Sequence, residues 1–144
     1  MTQAPILLVE DNDDDAELTV MAFREAKVAN PIVRVRDGVE ALELLRGPSG
    51  SGSATLPVVV LLDLKLPRVG GIEVLKAIRG GEVTKHLPVV VLTSSAEDRD
   101  RLEAYAHLAN SYVRKPVDYD EFVSASHQLG LYWTVTNVPP PPAP

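Results

Sequence analysis

Cysteine is absent from this sequence, and so are long apolar runs. Without cysteine the chain has no disulfides, thiolate metal sites or thiol nucleophiles, which fits a cytoplasmic protein. No apolar run approaches the ~18 residues that a membrane-spanning helix needs, and the first residues lack the basic start of a signal peptide. We therefore expect a cytoplasmic protein with no membrane partner.

Clustered positive charge is also lacking. The chain has 14 basic and 20 acidic residues, and lysine and arginine never occur in a run longer than two. Proteins that bind nucleic acid need such clusters to neutralise the phosphate backbone, so no nucleic-acid partner is expected. A length of 144 residues suits one domain that buries roughly two-thirds of its unfolded surface.

Short apolar runs alternate with helical patterns along the chain. Strands are predicted near residues 6–9, 33–35, 58–62, 89–92 and 112–113. Helices are predicted near residues 14–27, 37–46, 72–79, 97–107 and 118–129, the first from a capping-box spacing of Asp14 and Glu17. This alternation predicts an α/β fold, a doubly wound five-stranded parallel sheet of order 2-1-3-4-5 with five helices.

Two segments fall outside this pattern. Residues 47–53 are rich in glycine and serine, which predicts a flexible loop rather than a domain boundary. We assign residues 1–130 to one domain and residues 131–144 to a C-terminal extension with a proline-rich end.

Acidic residues follow the first and third strands. Glu10 and Asp11 come directly after one, and Asp63 after the other. Ligands bind beyond the carboxyl ends of these two strands in such a sheet, and neighbouring strands lie about 4.8 Å apart. Three carboxylates that close repel one another unless a cation lies between them, and an all-oxygen site suits Mg²⁺.

Strands four and five bring a hydroxyl and an ammonium to the same edge, from Thr93 and Lys115. Facing a metal-bound carboxylate, these groups would receive a phosphoryl group, with Asp63 as the nucleophile. The spacing carries this signal, because either residue alone would be an ordinary helix-entry or turn residue.

Some residues near this edge have simpler interpretations. Asp13, Asp14 and Asp15 are best explained as residues that start a helix and complement its dipole. Tyr112 is equally consistent with a core aromatic residue and with a conformational switch.

Four segments, in order and at matching intervals, resemble the receiver domains of response regulators in two-component signalling. They are ILLVED at 6–11, LLDLKLP at 61–67, VLTS at 91–94 and YVRKP at 112–116. The resemblance implies a flavodoxin-like fold in which Asp63 accepts a phosphoryl group from a sensor histidine kinase. It also implies that Glu10, Asp11, Asp63 and the carbonyl of Lys65 hold Mg²⁺.

The resemblance assigns further roles around the phosphoryl group. The hydroxyl of Thr93, the backbone N–H of Ser94 and the ammonium of Lys115 would bind its oxygens. Thr93 and Tyr112 match the switch positions, and the peptide bond before Pro116 matches one that is usually cis.

A narrower likeness covers residues 110–117, NSYVRKPV, and residues 129–133, LGLYW, together with the proline-rich end. These segments resemble the single-domain regulators that serve phytochrome-type sensor kinases, which implies a bacteriophytochrome as the partner. We expect no output domain, and we therefore expect the signal to leave by docking, by dimerisation or by onward phosphotransfer.

We expect a homodimer formed by the fourth and fifth helices and the extension. The domain already has enough apolar residues to close its core, and a two-fold partner is the commonest cover for an exposed apolar patch. The alternative is an extension that folds back on the last helix of its own chain. The apolar residues concerned are Leu131, Tyr132, Trp133, Val135 and Val138.

Three other functions compete with this interpretation. A flavodoxin-like electron carrier needs a phosphate-binding loop after the first strand, but here residues 10–15 read EDNDDD and would repel phosphate. An aspartate-nucleophile phosphatase needs a second acid where Lys65 stands. A phosphate-independent interaction module remains as the third. We therefore expect a signalling protein and not an enzyme.

Overall fold

Five short strands form one parallel sheet in the computed structural model, which describes residues 4–46 and 56–141. They are β1 (Ile6–Val9), β2 (Ile32–Val35), β3 (Val59–Leu62), β4 (Val89–Thr93) and β5 (Ser111–Arg114). Their order is β2-β1-β3-β4-β5, and every neighbouring pair is parallel. The predicted sheet order is confirmed, whereas the predicted loop at residues 47–53 lies outside the described residues.

Helices cover both faces of the sheet. They are α1 (Asp13–Glu25), α2 (Gly38–Arg46), α3 (Gly71–Gly80), α4 (Asp98–Ala106) and α5 (Tyr119–Leu131). Helices α1 and α5 pack together on one face, and α2, α3 and α4 lie on the other. Across residues 4–46 and 56–141, no helix combines the length and apolarity needed to cross a bilayer.

The central strands are apolar throughout because they are buried on both faces. Successive residues of β1 alternate between the two cores, with Leu7 and Val9 on one side and Ile6 and Leu8 on the other. Continuous burial of β1, β3 and β4 agrees with the apolar runs from which these strands were predicted. Because the strands are parallel, their carboxyl ends lie at the same edge of the sheet, and the polar residues begin there.

Helix α1 starts earlier than its sequence suggested. The side chain of Asn12 accepts a hydrogen bond of 2.9 Å from the backbone N–H of Asp15, so Asn12 is the N-cap. The capping box predicted for Asp14 and Glu17 is wrong, because several acids compete for this position and local spacing does not rank them. The first turn is nevertheless acidic, as the helix dipole favours.

The last helix continues directly into the C-terminal extension. Helix α5 is followed by a π-helical turn, Tyr132–Thr136, and the structure describes the chain to residue 141. Trp133 is half-buried and packs against the core on the α1 and α5 face. Four other apolar side chains remain exposed and form what we call the tail strip: Leu131, Tyr132, Val135 and Val138.

Candidate functional site

Carboxylates from β1 and β3 meet at the carboxyl edge of the sheet. Val9 pairs with Leu62, so the residues that follow, Glu10 and Asp63, leave neighbouring strands side by side. One carboxylate oxygen each from Glu10, Asp11 and Asp63 lies within 4.8 Å of the others. Glu10 and Asp63 are buried, and Asp11 is exposed. We call these three residues the carboxylate cluster.

The carboxylate cluster has the chemistry of a divalent cation site. All of its ligand atoms are oxygens, which hard ions such as Mg²⁺ prefer, and one of the three residues, Asp11, is exposed to solvent. Close carboxylates repel one another, and a shared cation removes that repulsion. The sequence placed the same three residues together, and the structure brings them within reach of one ion.

The Lys115 ammonium is the positive charge of this site. Its Nζ contacts Glu10 Oε1, lies 3.2 Å from Asp63 Oδ2 and lies 2.9 Å from Asp15 Oδ2. Only 6% of the Lys115 side chain is exposed. Its backbone N–H donates a 2.7 Å hydrogen bond to the carbonyl of Thr93, which joins the ends of β5 and β4. Peptide bonds in the described residues are trans, so the cis bond expected before Pro116 is wrong.

Burial changes the proton affinities of this ion pair. It raises the pKa of Glu10 to about 7, and the Lys115 ammonium offsets only part of that rise. Burial alone would lower the pKa of Lys115, but hydrogen bonds to Glu10 and Asp15 and attraction to Asp63 outweigh it, so this pKa is raised. The two shifts disagree about this pair. The raised pKa of Lys115 favours an ion pair, whereas the raised pKa of Glu10 favours a neutral, protonated carboxyl group. We conclude that the ammonium stays charged and that Glu10 is the group more easily protonated.

Two polar residues at the end of β4 lie beside the cluster. Leu62 pairs with Val91, so Thr93 ends β4 next to the start of the Asp63 loop. Thr93 is fully buried, and its Oγ1 accepts a 3.3 Å hydrogen bond from the backbone N–H of Ser95. Ser94 is exposed. The hydroxyl and this loop are therefore at the edge where the sequence placed them.

Tyr112 is a partly buried aromatic residue that contacts both the core and the loop before α4. It packs against the core, and its hydroxyl donates a 3.2 Å hydrogen bond to the carbonyl of Ser95 in the loop before α4. The Ser95 hydroxyl in turn contacts Asp100 Oδ2 at 2.6 Å. A shift of this loop would thus break contacts with both β5 and α4. Asp100 could not be recognised from the sequence, because its contact with Ser95 becomes apparent only once α4 is placed.

An ion pair fastens the loop that follows Asp63. Arg68 makes a bidentate contact with Asp37, with distances of 2.8 to 3.0 Å. The backbone N–H of Glu40 is the main cause that lowers the pKa of Asp37, and Arg68 adds to it. Arg68 has a φ of 64°, a left-handed conformation that costs energy in a residue other than glycine. The pair joins positions 31 residues apart, and sequence spacing did not reveal it.

Gly71 allows the same loop to lie close to the site. A Cβ at this position would be 2.3 Å from the carbonyl oxygen of Asp63 and 2.6 Å from Leu64 Cα. Both atoms belong to the backbone and cannot turn aside, so only glycine fits here without a shift of the loop. The start of α3 is in this way packed directly against the backbone of Asp63.

A doubly wound sheet with a carboxylate cluster at its switch point has the architecture expected of a receiver domain. The response regulator receiver domain family matches residues 6–127, which is most of the chain. This chain therefore belongs to the response regulator receiver domain family, as its sequence motifs indicated.

Relatives agree over almost the whole chain. The probable methanogenesis regulatory protein FilR2 of Methanothrix harundinacea is 43% identical over 138 residues, which cover 96% of this chain and 88% of FilR2. The phosphorylated cyanobacterial phytochrome response regulator RcpA has a TM-score of 0.90 at 34% identity and covers 97% of this chain and all of its own. The bacteriophytochrome response regulator RtBRR has a TM-score of 0.73 at 46% identity. The superposition covers 98% of this chain and 86% of the RtBRR chain.

Proposed function

We propose that this response regulator accepts a phosphoryl group from a sensor histidine kinase onto Asp63, with Mg²⁺ in the carboxylate cluster. The observation that carries the proposal is the position of Asp63, whose buried carboxylate belongs to the cation site and also contacts the Lys115 ammonium. A phosphate-independent interaction module would have no need for this combination. The family excludes the flavodoxin-like electron carrier.

In this proposal the Asp63 carboxylate attacks the phosphorus of a phosphohistidine. An oxygen–phosphorus bond forms, the phosphorus–nitrogen bond breaks, and the imidazole leaves with its electron pair and takes up a proton. Glu10, Asp11, Asp63 and the carbonyl of Lys65 would hold Mg²⁺, which neutralises phosphoryl oxygens when it is bound.

We assign three groups to the product. The Thr93 hydroxyl and the Ser94 backbone N–H would donate to phosphoryl oxygens, and the Lys115 ammonium would pair with them. Thr93 and Tyr112 would carry the change to the loop before α4, where Tyr112 already contacts Ser95. This is a signalling role in a cytoplasmic protein, with a receiver domain over residues 1–130 and an extension over residues 131–144.

The proposed kinase is a phytochrome-type sensor, and its phosphorylated histidine would donate the phosphoryl group to Asp63. The relatives RcpA and RtBRR are phytochrome response regulators by name, and they support this choice. Labelled kinases, including a bacteriophytochrome and an unrelated sensor, should be mixed briefly with this chain and Mg²⁺. We expect the fastest transfer from the bacteriophytochrome. Faster transfer from the unrelated kinase would contradict the partner and leave Asp63 chemistry intact.

We also propose that the chain forms a homodimer through α4, α5 and the tail strip. Tyr132, Val135 and Val138 expose 48%, 74% and 87% of their surfaces, an apolar row that a two-fold partner would cover. Leu131 borders this row. Trp133 was predicted to lie in the same interface, but because it packs on its own core we assign it the role of supporting the strip.

Sedimentation of a charged variant tests the dimer. Val135→Glu places a charge in the middle of the tail strip, and we expect it to be a monomer at concentrations where the parent is a dimer. Val33→Glu is the matched control, because Val33 is exposed on β2 at the far edge of the sheet. A monomeric parent, or a dimer that survives Val135→Glu, would refute the interface.

A further inference from the structure

The Lys115 ammonium has one partner that does not belong to the carboxylate cluster. Glu10 and Asp63 are members of that cluster, and the third partner is Asp15, whose Oδ2 lies 2.9 Å from Nζ. The Asp15 side chain is 31% exposed, whereas those of Glu10 and Asp63 are 3% and 9% exposed. The ammonium is therefore held between the cation site and the first turn of α1.

Asp15 is itself well anchored. Its backbone N–H donates to Asn12 Oδ1 at 2.9 Å, and its carbonyl accepts a 2.8 Å hydrogen bond from the Thr19 hydroxyl. The next residue, Ala16, is buried in the core beneath α1. The backbone that carries the Asp15 carboxylate is in this way fixed in the first turn of α1.

The three partners of Lys115 respond differently when the site is used. A divalent ion in the cluster would compensate the charges of Glu10 and Asp63, and a phosphoryl group on Asp63 would offer new anionic oxygens to the ammonium. Asp15 is not among the three cluster residues, so the ion would not compensate its charge and it would still attract the Lys115 ammonium. Asp15 and the phosphoryl group would then compete for one ammonium.

We propose that Asp15 is a positioning residue that holds Lys115 toward α1 and weakens its contact with the phosphoryl group. This inference rests on the proposed function, because it requires the phosphoryl group to form on Asp63. Asp15 touches neither the cation site nor the nucleophile in this role. Asp15 sets how strongly Lys115 stabilises the phosphorylated form. It therefore also sets how far the conformational equilibrium shifts when Asp63 is phosphorylated.

Fluoroberyllate, which mimics a phosphoryl group on a carboxylate, measures this competition at equilibrium. Its affinity should be determined by calorimetry in saturating Mg²⁺ for the parent, Asp15→Asn and Asp14→Asn. Asp14 is exposed in the same turn of α1, so Asp14→Asn removes the same charge from nearly the same place. We expect Asp15→Asn to bind roughly tenfold more tightly, as the loss of a charge-assisted hydrogen bond that competes with the ligand predicts. Asp14→Asn should stay within about twofold of the parent, because exposed charges are screened.

A double-mutant cycle shows whether the effect passes through Lys115. In a Lys115→Ala background, Asp15→Asn should change the affinity by less than about twofold, since the two residues then have no shared contact. An unchanged tenfold gain in that background, or equal affinities for Asp15→Asn and Asp14→Asn, would overturn the proposal. The comparison with Asp14→Asn decides by itself if the Lys115→Ala background does not bind. A parent that fails to bind fluoroberyllate would instead refute the proposed function and this inference with it.

Discussion

The Asp63→Asn variant will lose more than about 100-fold of its labelling by acetyl phosphate in the presence of Mg²⁺. An amide is a poor nucleophile and cannot form an acyl phosphate. Among residues 4–46 and 56–141, the buried carboxylates that contact Lys115 are those of Asp63 and Glu10. Mass spectrometry of the intact chain would measure the fraction that carries one phosphoryl mass. Hydroxylamine should remove that mass from the parent, as it does from acyl phosphates.

Asp118→Asn is the matched control for this experiment. Asp118 caps α5 through a 3.0 Å hydrogen bond from the N–H of Glu121, and asparagine caps helices equally well. This variant should be labelled like the parent. Undiminished labelling of a folded Asp63→Asn chain would mean that Asp63 is not the acceptor.

The second large effect concerns stability. Lys115→Ala should melt on the order of 10 °C below the parent when divalent cations are removed, because it leaves the buried Glu10 and Asp63 without a counter-charge. Breaking a buried ion pair costs about 3 kcal/mol, and a chain of this length loses roughly 3 °C for each kcal/mol. Calorimetry of thermal unfolding in the presence of a chelator measures the difference in melting temperature between Lys115→Ala and the parent.

Mg²⁺ should close most of this gap. An ion in the carboxylate cluster supplies the missing positive charge and stabilises the folded state by mass action. The neighbouring Arg114, which is exposed, gives the control Arg114→Ala, and its melting temperature should follow that of the parent in both conditions. We expect Lys115→Ala to remain labelled by acetyl phosphate when Mg²⁺ is present. Equal melting of Lys115→Ala and the parent in chelator would show that the ammonium does not hold the acids together.

The strands and their order could be predicted because burial leaves a direct mark on sequence. β1, β3 and β4 are covered on both faces, so their residues are continuously apolar, and the α/β alternation then restricts the order of the sheet. The carboxylate cluster followed from the same logic, since Glu10 and Asp63 come directly after strands that were recognised.

Contacts between distant side chains could not be predicted in this way. Lys115 was expected to face a phosphoryl group, but its contact with Asp15, 100 residues away, depends on how α1 sits above the sheet. The sequence explains the acids at the start of α1 as residues that begin a helix and complement its dipole. Local patterns describe one element at a time, and this contact joins two.

Trp133 shows the same limit at the C-terminus. Its apolar character marked it as a residue that needs cover, but the sequence could not tell a partner chain from the chain's own core. The structure places it against the core beside α1 and α5, whereas Val135 and Val138 stay exposed. Whether Trp133 meets its own core or a partner chain depends on the direction in which α5 continues beyond the domain. The sequence pattern does not specify that direction.

The most direct test of the account is the position of the phosphoryl group in the parent chain. After reaction with acetyl phosphate and Mg²⁺, borohydride reduces an acyl-phosphate aspartate to homoserine, which tandem mass spectrometry of peptides locates to a single residue. We predict homoserine at position 63, and none when Mg²⁺ is replaced by a chelator. Homoserine at Asp11 or at any other aspartate, or its absence in the presence of Mg²⁺, would contradict the account.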